Sequence, residues 1–405
     1  MDIIVGGGPA GFFGAITLKS LAPERDVLLL EKSADVLRKV KISGGGRCNV
    51  TTGQENLRTV AEGYPRGGKA LLGALHHFGP AQTRAWFEDR GVPLKTEADG
   101  RVFPVSNSSA SIIEALTGEA QRLGVRVETG TAVKSLNRHD AGFQVELSDG
   151  RLLPAQRALL ATGGGGHRLA QALGHTVMDP VPSLFTFNSE APLLEGLAGV
   201  AVPQAVVRAT GPGLPRKGLE QSGPLLITHW GVSGPAVLRL SAWGARLLAE
   251  CGYHFTVLVD WCPDLTREDL AARLGDWAGD NSRKQVSSSC PVDLPRRLWT
   301  ALVGQAMIPA ARTWGELGHK MTNRLVEALK SSPLPVQGKS TFKEEFVTCG
   351  GVDLREVDFS TMESRCVPGL FLAGEVLDID GITGGYNFQS CWTTGFLAGQ
   401  GLAKN

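Results

Sequence analysis

The chain has 405 residues, 42% of them hydrophobic and 20% charged, with 41 basic residues against 40 acidic ones and a formal net charge of +1. It is long enough for two or three globular domains, and its balance excludes a protein whose main task is to coat nucleic acid or an anionic membrane, while leaving room for a local basic groove. The 52 glycines follow no fixed period, which excludes collagen-like and low-complexity chains and points to close backbone approaches.

No apolar run reaches the roughly eighteen residues that span a bilayer, and a strand-like segment begins at Asp2, so neither a membrane span nor a signal peptide is expected. Seven cysteines without a CxxC pair resemble neither a disulfide framework nor a zinc site. The expectation is a reducing cytoplasm and no metal.

Asp2-Ile3-Ile4-Val5 is a short apolar strand, followed by Gly6-Gly7-Gly8-Pro9-Ala10-Gly11 and then by Phe12 to Leu21, whose apolar spacing suits a helix. Gly6, Gly8 and Gly11 fit GxGxxG: the first for a tight turn, the second for approach to a pyrophosphate, the third for packing helix on strand. The helix amino terminus, with Pro9 and Ala10, offers N–H groups and a positive dipole end to phosphates. Val27 to Leu30 reads as the next strand, ending at Glu31 and Lys32. Glu31 lies about twenty residues past the last glycine, where a carboxylate accepts ribose hydroxyls. An acid there favours an unphosphorylated ribose, as in FAD or NAD.

Further along, Val133 to Leu136 and Phe143 to Leu147 suggest a hairpin around Asp140, and Ala158 to Leu160 a buried strand. That strand runs into Thr162-Gly163-Gly164-Gly165-Gly166, ahead of a helix-like Leu169 to Leu173. Counting from Gly163 or Gly164 puts the third glycine position on Arg168 or Leu169, so there is no second dinucleotide fingerprint. NAD(P)H is therefore expected only as a transient reductant.

After Pro180-Val181-Pro182 the texture turns to strands, including Ala205 to Val207 and His254 to Val259. Gly231 to Pro235 reads as a turn into a helix capped by Ser233. From Asp264 to Ser332 the pattern is helical, with a start at Leu265 to Glu268 and a long amphipathic segment from Trp314 to Leu329. Thr341 to Thr348 reads as a strand. Val367 to Ala373 is a strand ending in Gly374 and Glu375, with Asp378 three residues on. Gly381, Gly384, Gly385, Tyr386 and Asn387 then feed a helix from about Phe388 to Leu402, whose amino terminus suits the developing anion of a reduced flavin. Both chain ends closing on one extended cofactor favour FAD over NAD.

Ser43-Gly44-Gly45-Gly46-Arg47-Cys48-Asn49-Val50-Thr51, Thr228 to Pro235, Thr348-Cys349-Gly350-Gly351-Val352, and the Gly374-Glu375 and Gly384 to Asn387 segments together resemble one bacterial family of NAD(P)/FAD-dependent oxidoreductases. It is often labelled aminoacetone-oxidase-like and includes bile-acid Δ4,6-reductases and 23S ribosomal-RNA dihydrouridine synthases. The match runs nearly from end to end. The resemblance implies an α/β fold: a Rossmann-like FAD-binding domain from residues 1–188 and 347–405, a β-rich insertion from 189–262 and 333–346, and a small helical domain from 263–332. Candidate cofactor residues are Gly6, Gly8, Pro9, Ala10, Gly11, Glu31, Lys32, Gly44, Gly45, Gly46, Arg47, Cys48, Asn49, Thr162, Gly163, Gly164, Gly374, Glu375, Asp378, Gly384, Gly385, Tyr386 and Asn387.

Both family activities reduce a ring alkene conjugated with a carbonyl, so the site needs hydride, a proton donor and a carbonyl partner. Cys48, His229 and Tyr386 are the candidate catalytic groups, with Arg47 placed to hold phosphate or lower the Cys48 thiol pKa. The expected partner is a small molecule or RNA carrying such an alkene, with uridine in 23S ribosomal RNA ahead of sterol-like enones and no membrane partner. A flavin oxidase of a small amine and a FAD-binding redox sensor remain the alternatives. Basic groups at Arg38/Lys39/Lys41/Arg47, Arg208/Arg216/Lys217, Arg283/Lys284 and Arg296/Arg297 are candidates for an RNA groove, and Trp230, Trp261 and Trp314 for stacking a base.

Overall fold

The computed structural model describes residues 1–140, 142–340 and 347–404. The chain divides into two compact units, Met1–Pro182 with Lys343–Asn405, and Ser183–Phe342.

The first unit is built on parallel strands in the order Leu370–Leu372, Arg157–Leu160, Asp2–Val5, Val27–Leu30 and Arg126–Glu128, extended past Leu370–Leu372 by two short antiparallel strands. The three central strands are fully buried, as continuous Val, Leu and Ile runs in a two-sided sheet must be. From Asp2–Val5 the chain steps to Val27–Leu30 on one side, whereas Arg157–Leu160 pairs on the other. The carboxyl ends of Asp2–Val5 and Arg157–Leu160 thus flank a topological switch point, where doubly wound sheets bind ligands.

Helix Pro9–Leu21 covers this sheet, and the last helix, Tyr386–Lys404, packs against it. The first helix is buried through most of its length, so it needs no polar face. Helix Ala110–Arg122 instead buries only Ile112, Leu116 and Ala120, an i, i+4, i+8 stripe. The expected hairpin forms between Val133–His139 and Gly142–Leu147.

In the second unit an antiparallel sheet runs Ser332–Gln337, His254–Asp260, Ala201–Thr210, Glu220–Ile227, Gly231–Ser233, Thr186–Asn188 and Lys339–Ser340. Thr186–Asn188 therefore belongs here, although it falls within the 1–188 span expected for the cofactor domain. The helical stretch shares one apolar core with the sheet: Leu270, Trp299 and Leu329 join Val257 and Val259. The β-rich and helical segments expected as separate domains form a single unit.

Two local expectations are corrected. The segment Trp314 to Leu329 is not one helix: Trp314–Glu316 is a 3-10 turn, and helix His319–Lys330 starts anew after an extended Gly318. Glu316 closes that turn by accepting the Thr313 N–H at 3.0 Å and the Thr313 hydroxyl at 2.9 Å. Ser233 is no helix cap, because it lies in a strand with its hydroxyl 2.9 Å from that of Thr186. Gly234 is the cap of helix Pro235–Trp243. The strand expected over Thr341 to Thr348 falls mostly outside the described residues, and its last two residues open Val347–Val352.

Glu119, on helix Ala110–Arg122, accepts from Arg122 Nε at 2.8 Å and Arg90 Nη2 at 2.9 Å, which lower its carboxyl to about 2 from a usual 4.5. Because the folded pKa is depressed, the stabilisation is present above the unfolded value and fades as pH falls through the folded one. Glu119→Gln is expected to cost about 1 kcal/mol at neutral pH. In urea titrations the gap between wild type and variant should close between pH 4.5 and 2.

Candidate active site

The glycine turn after the first strand forms the floor of the site. A Cβ on Gly11 would lie 2.0 Å from the Gly6 carbonyl oxygen, and one on Gly6 would lie 2.4 Å from the Ala161 carbonyl oxygen. These two glycines allow the helix to sit on the strand and the strand end to meet its neighbour. Gly8 differs, since a Cβ there would meet nothing within 4 Å. It caps helix Pro9–Leu21 without a side-chain hydrogen bond, and the first intrahelical bond runs from Phe12 N–H to Gly8 O. The Ala10 and Gly11 N–H groups therefore point out of the helix end beside open space, the arrangement that receives a phosphate.

Glu31 closes one side. Its carboxylate accepts from Gly7 N–H and Ser33 N–H, each at 2.8 Å, which fixes it beside the glycine turn. Thr162 to Gly166 form the other wall. Gly163–Gly165 make a 3-10 turn after strand Arg157–Leu160, with Lys32 Nζ lying 3.4 Å from the Cβ position of Gly165 and a Glu375 carboxylate oxygen 3.7 Å from that of Gly163. Glu375 is in turn ion-paired to Lys39. Burial opposes the Lys39 charge, but Glu375 beside it raises the pKa above the ordinary lysine value. Gly374 donates to Thr394 Oγ1 at 2.9 Å, and its Cβ position lies 2.9 Å from Ala10 Cβ, so the Gly-Glu turn rests on the start of the first helix.

His167 is buried, with the Glu375 backbone as a hydrogen-bond partner, and desolvation holds its pKa below the usual range against the pull of Asp378 and Glu375. Among the described residues, His167 Nε2 and Thr162 Oγ1 are buried without a partner. An unpaired buried polar atom costs on the order of 1–3 kcal/mol, so two at either end of the Gly163 to Gly166 run favour a ligand that satisfies them. Open space at Gly8, an uncapped helix end, a carboxylate fixed beside the glycine turn and two orphaned polar atoms fit FAD.

The Ser43 to Thr51 segment and the last helix form a second cluster. Gly385 has a positive φ of 90°, and a Cβ there would lie 2.4 Å from the Thr51 carbonyl oxygen. Trp392 Nε1 donates to Val50 O at 2.9 Å, and Thr51 Oγ1 to Gln389 Oε1 at 2.6 Å. Asn387 pins the turn by accepting from Gly381 N–H at 2.8 Å and donating to Gly381 O at 2.9 Å. Tyr386 is half-buried, edge-on to Tyr64, whose hydroxyl donates to Tyr386 O at 2.7 Å. Behind it lies a buried bidentate pair between Arg66 and Asp380. Asp378 accepts from Gly350 N–H at 3.1 Å, tying the Thr348 to Val352 segment to the same loop.

Arg47 does not activate Cys48. Its guanidinium bonds Glu97 at 2.7 Å and stacks on Phe103 at 3.9 Å. Cys48 has 0% exposure, and burial pushes its thiol up to about 12, opposite to the expected lowering. Asn49 Oδ1 accepts from Val102 N–H at 3.3 Å, while Gly45 and Gly46 face open space. His229 belongs to the second unit, on the exposed tip between strands Glu220–Ile227 and Gly231–Ser233, next to Trp230 at 64% exposure. Trp261 and Trp314 are core residues at 2% and 1%.

Lys39 was legible only as one of a basic cluster and Thr394 not at all, and the fold alone brings them to Glu375 and Gly374. The orphaned nitrogen of His167 had only its place after the glycine run as a signal. A separate His175, Glu356 and Cys366 grouping has its ligand atoms within 4.8 Å of one another. His175 is already spent there, with Nδ1 2.8 Å from Glu356 and Nε2 2.9 Å from Ser364 Oγ. Among the described residues, no helix is long and apolar enough to cross a membrane.

Residues 1–401 match the HI0933-like protein Rossmann domain family. The chain is 31% identical to a 3-dehydro-bile acid Δ(4,6)-reductase of Clostridium scindens, over 99% of this chain and 98% of that protein. It is 30% identical to a ribosomal RNA dihydrouridine synthase of Escherichia coli, over 99% and 97%. Among solved structures, a 3-ketosteroid-Δ4-(5α)-dehydrogenase from Rhodococcus jostii is similar in fold, with a TM-score of 0.52 and 16% identity across 100% of this chain and 96% of that one. The chain belongs to the HI0933-like Rossmann family and is a flavin-dependent oxidoreductase.

Proposed function

We propose that the protein is an FAD-dependent reductase of a ring alkene conjugated with a carbonyl, acting in the cytoplasm on uridine of 23S ribosomal RNA, with NAD(P)H as transient reductant. The observation that carries this reading is the pair of relatives matched from end to end, one named as a bile-acid Δ(4,6)-reductase and the other as a dihydrouridine synthase. An enone and uracil share the reacting unit, because uracil C6 stands β to the C4 carbonyl. The bile-acid relative favours a second reading, reduction of a small 3-oxo-Δ4 steroid or bile acid.

Bound FAD, once reduced by NAD(P)H, would supply hydride to the β carbon and return to its oxidised form. The residues that would hold its dinucleotide part are Gly8, Ala10 and Gly11 at the helix end, Glu31 at a ribose, and Thr162, Lys32 and His167 along the cleft. The amino terminus of helix Tyr386–Lys404, freed by the Gly384-Gly385 turn, presents N–H groups to developing negative charge. Tyr386 is the proton donor we favour within the first unit, since it is half-buried and held by Tyr64, whereas the Cys48 thiol is sealed in the core. His229 lies in the second unit, on an exposed tip beside Trp230, and is given no role at the flavin.

Gly8→Ala should fold with the thermal midpoint of the flavin-free parent, because the added methyl meets no protein atom. It should nevertheless lose at least about tenfold in FAD affinity, roughly 1.4 kcal/mol. Gly11→Ala should fail to give folded protein. Equal FAD affinity in Gly8→Ala would remove the pyrophosphate assignment. Tyr386→Phe should retain flavin and its bleaching by NAD(P)H while reoxidation by substrate slows about 10²-fold. An unchanged rate would transfer the donor role elsewhere. Ribosomal RNA from a deletion strain, digested and weighed by mass spectrometry, should lack one uridine carrying two extra hydrogens. Unchanged dihydrouridine, with turnover of a 3-oxo-Δ4 steroid by the purified enzyme, would give precedence to the second reading.

A further inference from the structure

The second unit carries a cationic cleft unrelated to any flavin motif. It lies where the loop after helix Arg296–Gln305 meets the start of helix His319–Lys330, with a volume of about 440 Å³, and a neighbouring cleft of about 460 Å³ shares Met307, Lys320 and Arg324 with it. Arg312, His319, Lys320 and Arg324 line the first cleft, and no acid does. The chain as a whole is nearly neutral, so this is a local segregation of charge. Among the described residues, Arg312, Lys320 and Arg324 have no ion-pair partner. Glu316 caps Thr313 and is within electrostatic reach of Arg312, and Glu327 in the second cleft pairs with Arg267.

Three further features fit a phosphate chain. Gly318 caps the helix without a side chain, and its carbonyl takes the first bonds, from Met321 and Thr322, so the His319 and Lys320 N–H groups are unspent at the positive end. Lys320 and Arg324 are one turn apart on the same face, about 6 Å along the axis, a step comparable to that between successive phosphates of an extended strand. Met307 is 69% exposed with φ +54°, so a strained backbone presents a large apolar side chain at the mouth of the cleft, where it can lie against a base.

We infer that this cleft of the helical segment holds the sugar–phosphate backbone of RNA, as a docking site separate from the residues assigned to the flavin. The inference rests on the ribosomal-RNA reading for its choice of polyanion. Ordered cations on a rigid helix suit a phosphate chain, whose binding strength then falls steeply with salt.

The test uses full-length flavin-loaded protein, a fluorescent single-stranded oligouridylate, and the double variant Lys320→Glu/Arg324→Glu, with flavin content and thermal midpoint as controls for folding. Wild type should bind the oligonucleotide. The variant should bind it at least tenfold more weakly, and its salt slope should be smaller by about 1.4, as expected for two lost single-strand phosphate contacts. Equal affinity and slope in a folded variant would overturn the docking site while leaving the uridine reading intact. Failure of the wild type to bind, with inorganic phosphate or pyrophosphate still protecting the cleft, would overturn it in favour of a small-anion site. Conversely, a deletion strain with unchanged dihydrouridine would remove the uridine reading, whatever the oligonucleotide result.

Discussion

The contact on which the cofactor unit depends is the close packing of its first helix against its last. A Cβ on Gly395 would lie 2.6 Å from the Ala10 carbonyl oxygen, and one on Gly399 would lie 2.6 Å from the Gly14 carbonyl oxygen, so the two backbones approach to a distance that any side chain would prevent. This packing brings residues nearly four hundred positions apart into one wall. It also explains why the site can be assembled from both chain ends with a whole second unit inserted between them. The Gly374 turn rests on Ala10, the Glu375 carboxylate reaches Lys39, and Tyr386 stands against Tyr64, each as a consequence of how those helices meet.

The parts of the site that were legible in the sequence are those whose physics is local. Gly6, Gly8, Gly11 and Glu31 lie within one strand–turn–helix–strand segment, where spacing alone dictates a tight turn, an open helix end and an acid at the next strand terminus. The structure then separates what the motif lumps together: Gly6 and Gly11 are needed by the protein's own backbone, whereas Gly8 leaves room for something else. Partnerships across 336 and 314 positions, such as Lys39 with Glu375 and Arg66 with Asp380, carry no sequence signal, because a motif such as Gly374-Glu375 marks one residue and not its distant partner. Cys48 was misread in its electrostatics for a related reason. A neighbouring Arg47 in the chain suggests a stabilised thiolate, but the side chains diverge, one to Glu97 and Phe103 and the other into the core.

The second unit shows the same limit at the level of domains. A run of helix patterns following a run of strands reads as two domains, yet Trp299 and Leu329 bury themselves against the same core as Val257 and Val259. Periodicity reports that a face is apolar and not which partner covers it. The broken segment after Trp314 is a finer case: the Thr313–Glu316 turn and the extended Gly318 interrupt an apolar spacing that is otherwise continuous.

Two relatives of nearly equal identity, named for a bile acid and for ribosomal RNA, imply that the shared cofactor unit serves a reaction and not a substrate. Hydride delivery to a carbon β to a carbonyl requires a fixed ring, a donor and an anion-stabilising helix end, and the first unit offers candidates for each. Discrimination between a free steroid and one nucleotide in a polymer requires something else, because both present a six-membered ring with an alkene conjugated to a carbonyl while their attachments differ. Only RNA brings a chain of phosphates, and only a surface that segregates positive charge can use it. A protein with 41 basic and 40 acidic residues has no such bias overall, so on the ribosomal-RNA reading proposed above the information must sit in placement. The acid-free cleft at Arg312, Lys320 and Arg324 is the place that this proposal assigns to it.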